Sequence, residues 1–412
     1  MTDNQLIDHL FRHQYGKMVA VLTRIFGLHN LEIVEDAIQD TFISASLKWR
    51  QGLPEQPAAW LTAAAKNRAV DLLRKLKAEN TRLQKLDSGP SSLLIDELFL
   101  EHQIEDSQLR MIFTACHPLL DPRDQIAFSL KTVAGFSTRE IAAALLLKVE
   151  TVKKRLSRAR KAIQKNNIRF EWPEKEELVQ RLARVHEVLY LIFNEGFHST
   201  QQQLLIRKEL CGEAIRLTKL VLKKEPLRNG AAYALFALMC YHAARLESRL
   251  SDGLEPIDLR QQDRSLWYQP LVQVGDDALM QALNYPDQSV YHLEAGIAFE
   301  HLHAANFDST NWPRILELYQ RLYAYTQDRL TLLNIAIVYV QLQENEKARQ
   351  LLDDIDPASL EQREYLYYGV EAEYFNNMGQ HEQAIAALDA ALLKVSNDAE
   401  RAYLQKKKQK ML

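Results

Sequence analysis

Cysteine is scarce in this sequence and never paired. Cys116, Cys211 and Cys240 are the three in 412 residues. An odd number, widely spaced, argues against a disulfide framework and for a reducing cytoplasm. No run of 18 apolar residues occurs, so no spanning helix and no membrane partner are expected. The start, MTDNQLIDHLFRHQ, lacks a basic segment followed by an apolar core, so no secretory signal is expected. Also missing are a phosphate-binding loop, a metal cluster and a nucleophile–base–orienter set, so neither an enzyme nor a cofactor is expected. Cys116-His117 has no further metal ligands at useful spacing. Asn194, Glu195 and His198 surround Gly196 without a nucleophile, and read as a helix end packed at a domain junction.

What the chain does contain is helix. Apolar residues recur at spacings of three and four, with no convincing alternation, which predicts an all-α fold. Apolar residues make up 47% and charged residues 25%, ordinary for a globular protein of two to four domains. The net charge of −3 is unevenly distributed. Residues 1–170 hold 25 Lys and Arg against 19 Asp and Glu, a net of +6, which leaves −9 for the remainder. A basic front suits a polyanion partner and an acidic rear does not, so the two parts have different tasks. The expected division is a helical domain over 1–85, a linker over 86–103 marked by KLDSGPSSL, a second helical domain over 104–170, and a third over 171–412.

The most specific signal is FSTREIAAALLLKVETVKKRLSRARKAI, residues 136–163. Ser137 and Glu140 form a capping box that opens one helix. A break at Leu146–Lys148 precedes a second, whose Val152, Leu156, Ala159 and Ile163 share a narrow arc and form the buried face. The opposite arc carries Glu150, Lys154, Ser157, Arg158 and Lys161, with Lys153 and Arg160 at its edge. Such a helix-turn-helix with a basic second helix fits the major groove, where Lys and Arg reach phosphates or guanine edges, and Thr151 and Ser157 reach bases or backbone.

These residues carry a family resemblance. Ile141-Ala142, Val149, Thr151-Val152-Lys153, Arg155-Leu156 and Arg158-Ala159-Arg160 resemble the −35-reading region 4 of extracytoplasmic-function (ECF) sigma factors. Two positions depart from the pattern: Leu146 replaces a turn glycine and Lys148 a capping serine. The resemblance implies −35 contacts from Thr151, Lys153, Lys154, Ser157, Arg158 and Lys161.

Residues 32–49 predict a helix with two apolar arcs. Val34, Ile38, Phe42, Ala45 and Trp49 face a core. Ile43 and Leu47 lie opposite, flanked by Glu32, Asp36, Gln39 and Asp40, which suits either a partner protein or a second helix of the same domain. The run from Glu35 to Phe42, EDAIQDTF, resembles sigma region 2.2, which implies that Asp36, Gln39 and Asp40, with Ile43 and Leu47, contact core RNA polymerase. The segment 57–77 has an apolar face of Leu61, Ala65, Ala69, Leu72, Leu73 and Leu76. It is similar to regions 2.3 and 2.4, which implies −10 contacts from Trp60, Lys66, Asn67, Arg74 and Lys77 on a melted strand. Trp60 also suits a core position, and Arg68 and Asp71 suit an internal ion pair. Linking a duplex reader to a strand reader raises effective concentration at the promoter.

In the rear part, Leu332, Ile335, Ala336, Tyr339, Ala348 and Leu352 match Tyr368, Glu371, Ala372, Phe375, Ala384 and Leu388 at a spacing of 36. The pattern resembles tetratricopeptide (TPR) helix pairs. Segments 116–142, 188–200, 210–217 and 261–267 extend the resemblance to sigma factors with a fused TPR-like domain. A −9 region joined to a +6 one predicts that residues 180–412 pack against the sigma core and control it, by masking of the DNA-binding helix or through a protein regulator bound in a repeat groove. The basic run Lys406–Lys410 reads as a solvated end. The competing reading is a helix-turn-helix activator with a TPR-like sensor. It accounts for 136–163 and the repeats but not for 32–77.

Overall fold

The computed structural model describes residues 3–49, 52–82, 92–145, 147–197, 206–249 and 256–411. Among them are nineteen α-helices and no extended strand, as the periodicity predicts. The chain divides into two compact units. Unit 1 comprises residues 1–195 and 212–221, and unit 2 comprises residues 196–211 and 222–412.

Unit 1 is built on α1 (Asp3–Phe26), α2 (Leu31–Lys48), α3 (Pro57–Arg82), α4 (Ser92–Leu98), α5 (Glu101–Ala115), α6 (Pro122–Thr132), α7 (Thr138–Ala144) and α8 (Val149–Lys165). Met18, Val19, Ala20, Val21 and Leu22 of α1 are all buried. A helix apolar on every side must be covered on every side. Accordingly α2 and α3 pack on α1, and so do α5 and α6. The two front blocks therefore dock on one another. Arg24 donates to Gln103 at 2.9 Å, and Lys17 meets Glu101 at 3.3 Å. Gly16 lies so close to the end of α6 that a Cβ there would stand 2.1 Å from the Val133 carbonyl oxygen. Next to it, burial and the Glu35 carboxylate hold the Tyr15 phenol well above its ordinary range. An aromatic chain closes the region-2 side: Phe11 stacks on Phe42 at 4.4 Å and reaches Trp49 at 5.7 Å.

Two further helices belong largely to unit 1: α9 (Lys175–Phe197) up to Glu195, and α10 (Lys208–Lys223) over Gly212–Val221. Glu213 is their main polar anchor. It meets His13 Nδ1 at 2.9 Å and accepts from Arg216, which also donates to Gln108 at 3.2 Å. Burial raises the Glu213 carboxyl, but hydrogen bonds from Arg216 and His13 outweigh it and hold the group below its ordinary 4.5. A depressed carboxyl stabilises the fold above the ordinary value and loses that contribution as pH falls through the folded one. Hydrogen exchange in α10 is therefore expected to accelerate as pH drops below about 4.5 once corrected for intrinsic rates. Glu213→Gln should flatten that dependence, and an unchanged profile would contradict the anchor.

Unit 2 is centred on α11 (Gly230–Ala244), buried along almost its whole length. Helix α12 (Gln269–Ala282) crosses it so closely that a Cβ on Gly275 would meet the Tyr241 ring at 2.6 Å. Gly196 likewise abuts Cys211, whose backbone nitrogen would lie 2.7 Å from an added Cβ. The Gly196 segment is thus a close-packed helix end, as the sequence suggests. Helices α13 (Val290–His303) and α14 (Trp312–Thr326) lead to two helix hairpins, α15 (Arg329–Gln341) with α16 (Asn345–Asp354) and α17 (Glu364–Asn377) with α18 (His381–Lys394). The equivalent small residues Ala336 and Ala372, and Ala348 and Ala384, are fully buried. Both hairpins turn on a left-handed residue at the same register, Gln343 at φ 60° and Gly379 at φ 71°.

The last helix is α19 (Asp398–Gln409). In the run Lys406–Lys410, Lys406 and Lys410 are exposed, as a solvated end predicts, and Lys407 and Lys408 are half-buried. Leu404 is buried with Leu388 and Ala391 of α18, and this fixes the helix against the last hairpin. Cys116, Cys211 and Cys240 are all buried and in no disulfide. Burial pushes Cys116 and Cys211 each up to about 12.

Candidate polymerase and nucleic-acid interface

Helix α2 splits as its sequence predicts. Val34, Ile38, Ala45 and Trp49 are buried and Phe42 is half-buried. Asp36, Gln39, Asp40, Ile43 and Leu47 are exposed on the other side, Ile43 at 53% and Leu47 at 57%. Two large apolar side chains left in water and rimmed by carboxylates form a self-contained patch. Asp40 is also in a salt bridge with Arg68 of α3. The Arg68–Asp71 pair considered from sequence gives way to two others: Arg68 is taken by Asp40 of α2, and Asp71 meets Arg74 at 3.6 Å.

Between α2 and α3 lies an open cleft of about 520 Å³ lined by Asp40, Ser44, Lys48, Trp60, Asn67 and Arg68, among others. Trp60 stands edge-on to Trp49 at 5.6 Å, with the Lys48 ammonium 5.5 Å from its ring centre. It therefore belongs both to the aromatic chain and to the cleft wall. Asn67 is exposed beside it. Lys66 turns away and pairs with Asp96 of α4 at 2.6 Å, while Arg74 is largely exposed. The side chain of Lys77 lies outside the described residues, as do Leu146 and residues 86–91 of the linker expected over 86–103, whose later part is helical in α4 and the start of α5. Lys48 has no place in the sequence reading and Arg68 has one only as an ion-pair partner, because neither belongs to the basic arc of 57–77. They join it only through helix packing.

In the helix-turn-helix, the capping box forms as expected. The Ser137 N–H donates to Glu140 Oε2 at 2.7 Å, and the Glu140 N–H donates to Ser137 Oγ at 3.2 Å. Val152, Leu156, Ala159 and Ile163 are buried. Lys148 makes no side-chain cap, as a lysine in place of serine implies. Lys153, Lys154, Ser157 and Lys161 are exposed, and Thr151 is half-buried. Lys153 is paired to Glu150 at 2.7 Å.

Two arginines of α8 pair with carboxylates of other helices, Arg158 while its own side chain stays 60% exposed. Arg158 grips Asp124 of α6 through two bonds, Nε to Oδ2 at 3.0 Å and Nη2 to Oδ1 at 2.6 Å, and the Asp124 side chain is only 4% exposed. A fork-on-carboxylate bond of this kind orients α8 on α6. Arg160 donates to Glu35 of α2 at 2.7 Å. Burial raises the Glu35 carboxyl above its ordinary value, although Arg160 pulls it down. The sequence places Glu35 beside the acidic patch but gives no sign of this partner 125 residues away.

Comparison with known proteins adds names to this geometry. Residues 10–79 match sigma-70 region 2, residues 110–163 match sigma-70 region 4, and residues 181–283 match a family of unknown function, DUF6596. The ECF RNA polymerase sigma factor SigE of Mycolicibacterium smegmatis is 26% identical over 156 residues, 38% of this chain and 59% of that protein. The RNA polymerase sigma factor CnrH of Cupriavidus metallidurans is 30% identical over 155 residues, 36% of this chain and 79% of that protein. No solved structure matches the chain. Among the described residues no helix is long and apolar enough to cross a membrane. The two sigma-70 regions belong to non-catalytic transcription-factor domains. An uncharacterised protein of Rhizobium meliloti (strain 1021) is 31% identical over 412 residues, covering 98% of this chain and 96% of its own. The chain belongs to the family of that relative, and is an ECF-type sigma factor in its regions 2 and 4 with an additional all-helical C-terminal domain.

Proposed function

We propose that the chain binds core RNA polymerase through the exposed face of α2, holds a melted −10 strand along the α2–α3 cleft and reads −35 duplex with α8. The observation that carries this reading is the double-faced α2, whose Ile43 and Leu47 stay in water next to Asp36, Gln39 and Asp40. An isolated activator has no use for such a patch, whereas a subunit that docks on a large enzyme does. Transcription from a genomic DNA library by purified chain and core polymerase, with no other sigma factor, tests the reading. Specific initiation supports it. Initiation only when another sigma factor is added would favour the helix-turn-helix activator.

The roles within α8 separate in two measurements. Lys154→Ala and Lys161→Ala are expected to weaken DNA binding evenly across sequences, each lowering the salt slope by about one. Arg158→Ala should first lower the melting temperature, since it leaves Asp124 buried without its partner. Equal salt slopes in all three variants and wild type would overturn the assignment of Lys154 and Lys161.

We further propose that the TPR-like C-terminal domain regulates the sigma regions, by masking them or by receiving a protein regulator. Supporting this are the −9 charge after residue 170 against +6 before it, and the anchoring of Glu213 on His13. Removing the residues beyond the region-4 domain and assaying promoter-dependent transcription tests it. Unchanged output at every promoter would reject a regulatory role.

A further inference from the structure

Three helices of unit 2 leave an apolar groove open between them. Helices α12, α13 and α14 border a groove of about 410 Å³. Leu293 and Leu318 are buried at its floor, where a Cβ added to Gly296 would stand 3.2 Å from Leu318 Cδ1. The rim is apolar and wet: Met280 is 65% exposed, Leu283 65% and Tyr325 60%. Large apolar side chains left in water and gathered on one groove mark an interaction site.

The charges around the groove decide what fits it, and most are already engaged. Asp276 accepts from the Tyr241 hydroxyl at 2.8 Å and meets His303 at 3.1 Å. Asp287 accepts from the Gly230 and Ala231 N–H groups at 2.9 and 2.8 Å. Arg314 pairs with Glu317. Two charges are not engaged in this way. Glu300 is half-buried and has no hydrogen-bond or ion-pair partner among the described residues. Arg321 is exposed and donates to the Gln288 amide at 3.3 Å, with no carboxylate in ion-pair reach among the described residues.

These two charges flank the apolar floor from opposite ends. Helices α13 and α14 run antiparallel, since Gly296 faces Leu318 while Gln288, just before α13, meets Arg321. Glu300 lies one turn beyond Gly296, and Arg321 one turn beyond Leu318. At 1.5 Å per residue they stand about 10 Å apart along the groove. Two turns of an α-helix cover the same distance, so residues i and i+7 on one helix face reach both.

We propose that this groove receives an amphipathic helix of a protein partner. Its Lys or Arg would meet Glu300, its Asp or Glu seven residues away would meet Arg321, and large apolar residues between them would cover Leu318 and Met280. The apolar face supplies affinity and the two charges fix the register. Such docking gives a surface to the protein regulator proposed above for the C-terminal domain, and rests on that reading.

Fluorescence anisotropy on the full chain, without polymerase or DNA, tests it with two labelled helical peptides on an alanine-rich frame. One carries Lys at i, Leu at i+3 and i+4, and Glu at i+7. The other carries Glu at both i and i+7. The Lys–Glu peptide is expected to bind wild type with a Kd below about 100 μM, at least tenfold tighter than the Glu–Glu peptide, and more weakly as salt rises. Glu300→Lys should invert that order. Met280→Ser, at an exposed position, should weaken both peptides about tenfold without moving the melting temperature. The same peptide order in wild type and Glu300→Lys, or no saturation by either peptide below about 1 mM, would overturn the proposal. So would a dimer of the chain, seen in sedimentation, that the Lys–Glu peptide disperses, since a second copy would then be the occupant. The truncation assay for regulation is read in transcription and this one in peptide binding, so the two fail separately.

Discussion

Ile43→Glu combined with Leu47→Glu is expected to abolish promoter-specific transcription by the reconstituted enzyme while leaving the melting temperature nearly unchanged. Both side chains are more than half exposed, so their loss removes little from the fold, within about 0.5 kcal/mol each. Apolar anchors at the centre of an interface commonly contribute about 2 kcal/mol each. Two such losses, sharpened by new carboxylates beside Asp36 and Asp40, correspond to about a thousandfold in affinity for polymerase. Competition against a labelled reference sigma factor measures it directly. A double variant that competes like wild type would remove α2 as the docking face and with it the sigma reading of the first block. Asp40→Ala is a subtler probe, because it also frees Arg68 into the cleft.

Gly16→Ala should be among the most damaging single-methyl changes in unit 1. The added Cβ would lie 2.1 Å from a backbone oxygen at Val133, which no side-chain rearrangement relieves. Either α1 shifts away from α6 or the docking of the region-2 block on the region-4 block is given up. Overpacking of this kind costs about 3 kcal/mol or more. Gly212→Ala is the internal control. It sits inside α10 with nothing within 4 Å of an added Cβ, so the better helix former should stabilise by about 0.5–1 kcal/mol. Chemical denaturation of the two variants beside wild type gives both signs at once. A Gly16→Ala protein as stable as wild type would mean that the close approach of α1 to α6 is not a feature of the folded state.

The sequence shows which face of a helix is buried, but not what it is buried against. Val152, Leu156, Ala159 and Ile163 were legible because one amphipathic period determines them. Ser137 with Glu140 was legible because a capping box is local, and Ala348 with Ala384 because a repeat compares the chain with itself. The double face of α2 was legible for the same reason, and so was the all-helical architecture. The pairs that tie helices together were not. Glu35 with Arg160, Gly16 with Val133, Asp124 with Arg158 and Lys66 with Asp96 join residues far apart in the chain. No period or spacing relates such partners. The same gap explains Arg158, which belongs to a basic stripe by pattern and to a buried carboxylate by packing. It also explains why the seat of α19 on the last hairpin, through the buried Leu404, cannot be read from its charges.

The three sequestered thiols give the molecule an internal clock. Cys116 belongs to unit 1, and Cys211 and Cys240 belong to unit 2. With the first two held as neutral thiols and all three shielded, an alkylating reagent can modify them only when the surrounding helices part. The rate at which each becomes labelled therefore times the opening of its own unit. A partner that tightens one unit would then register as slower labelling of the thiols in that unit, with no probe added to the surface.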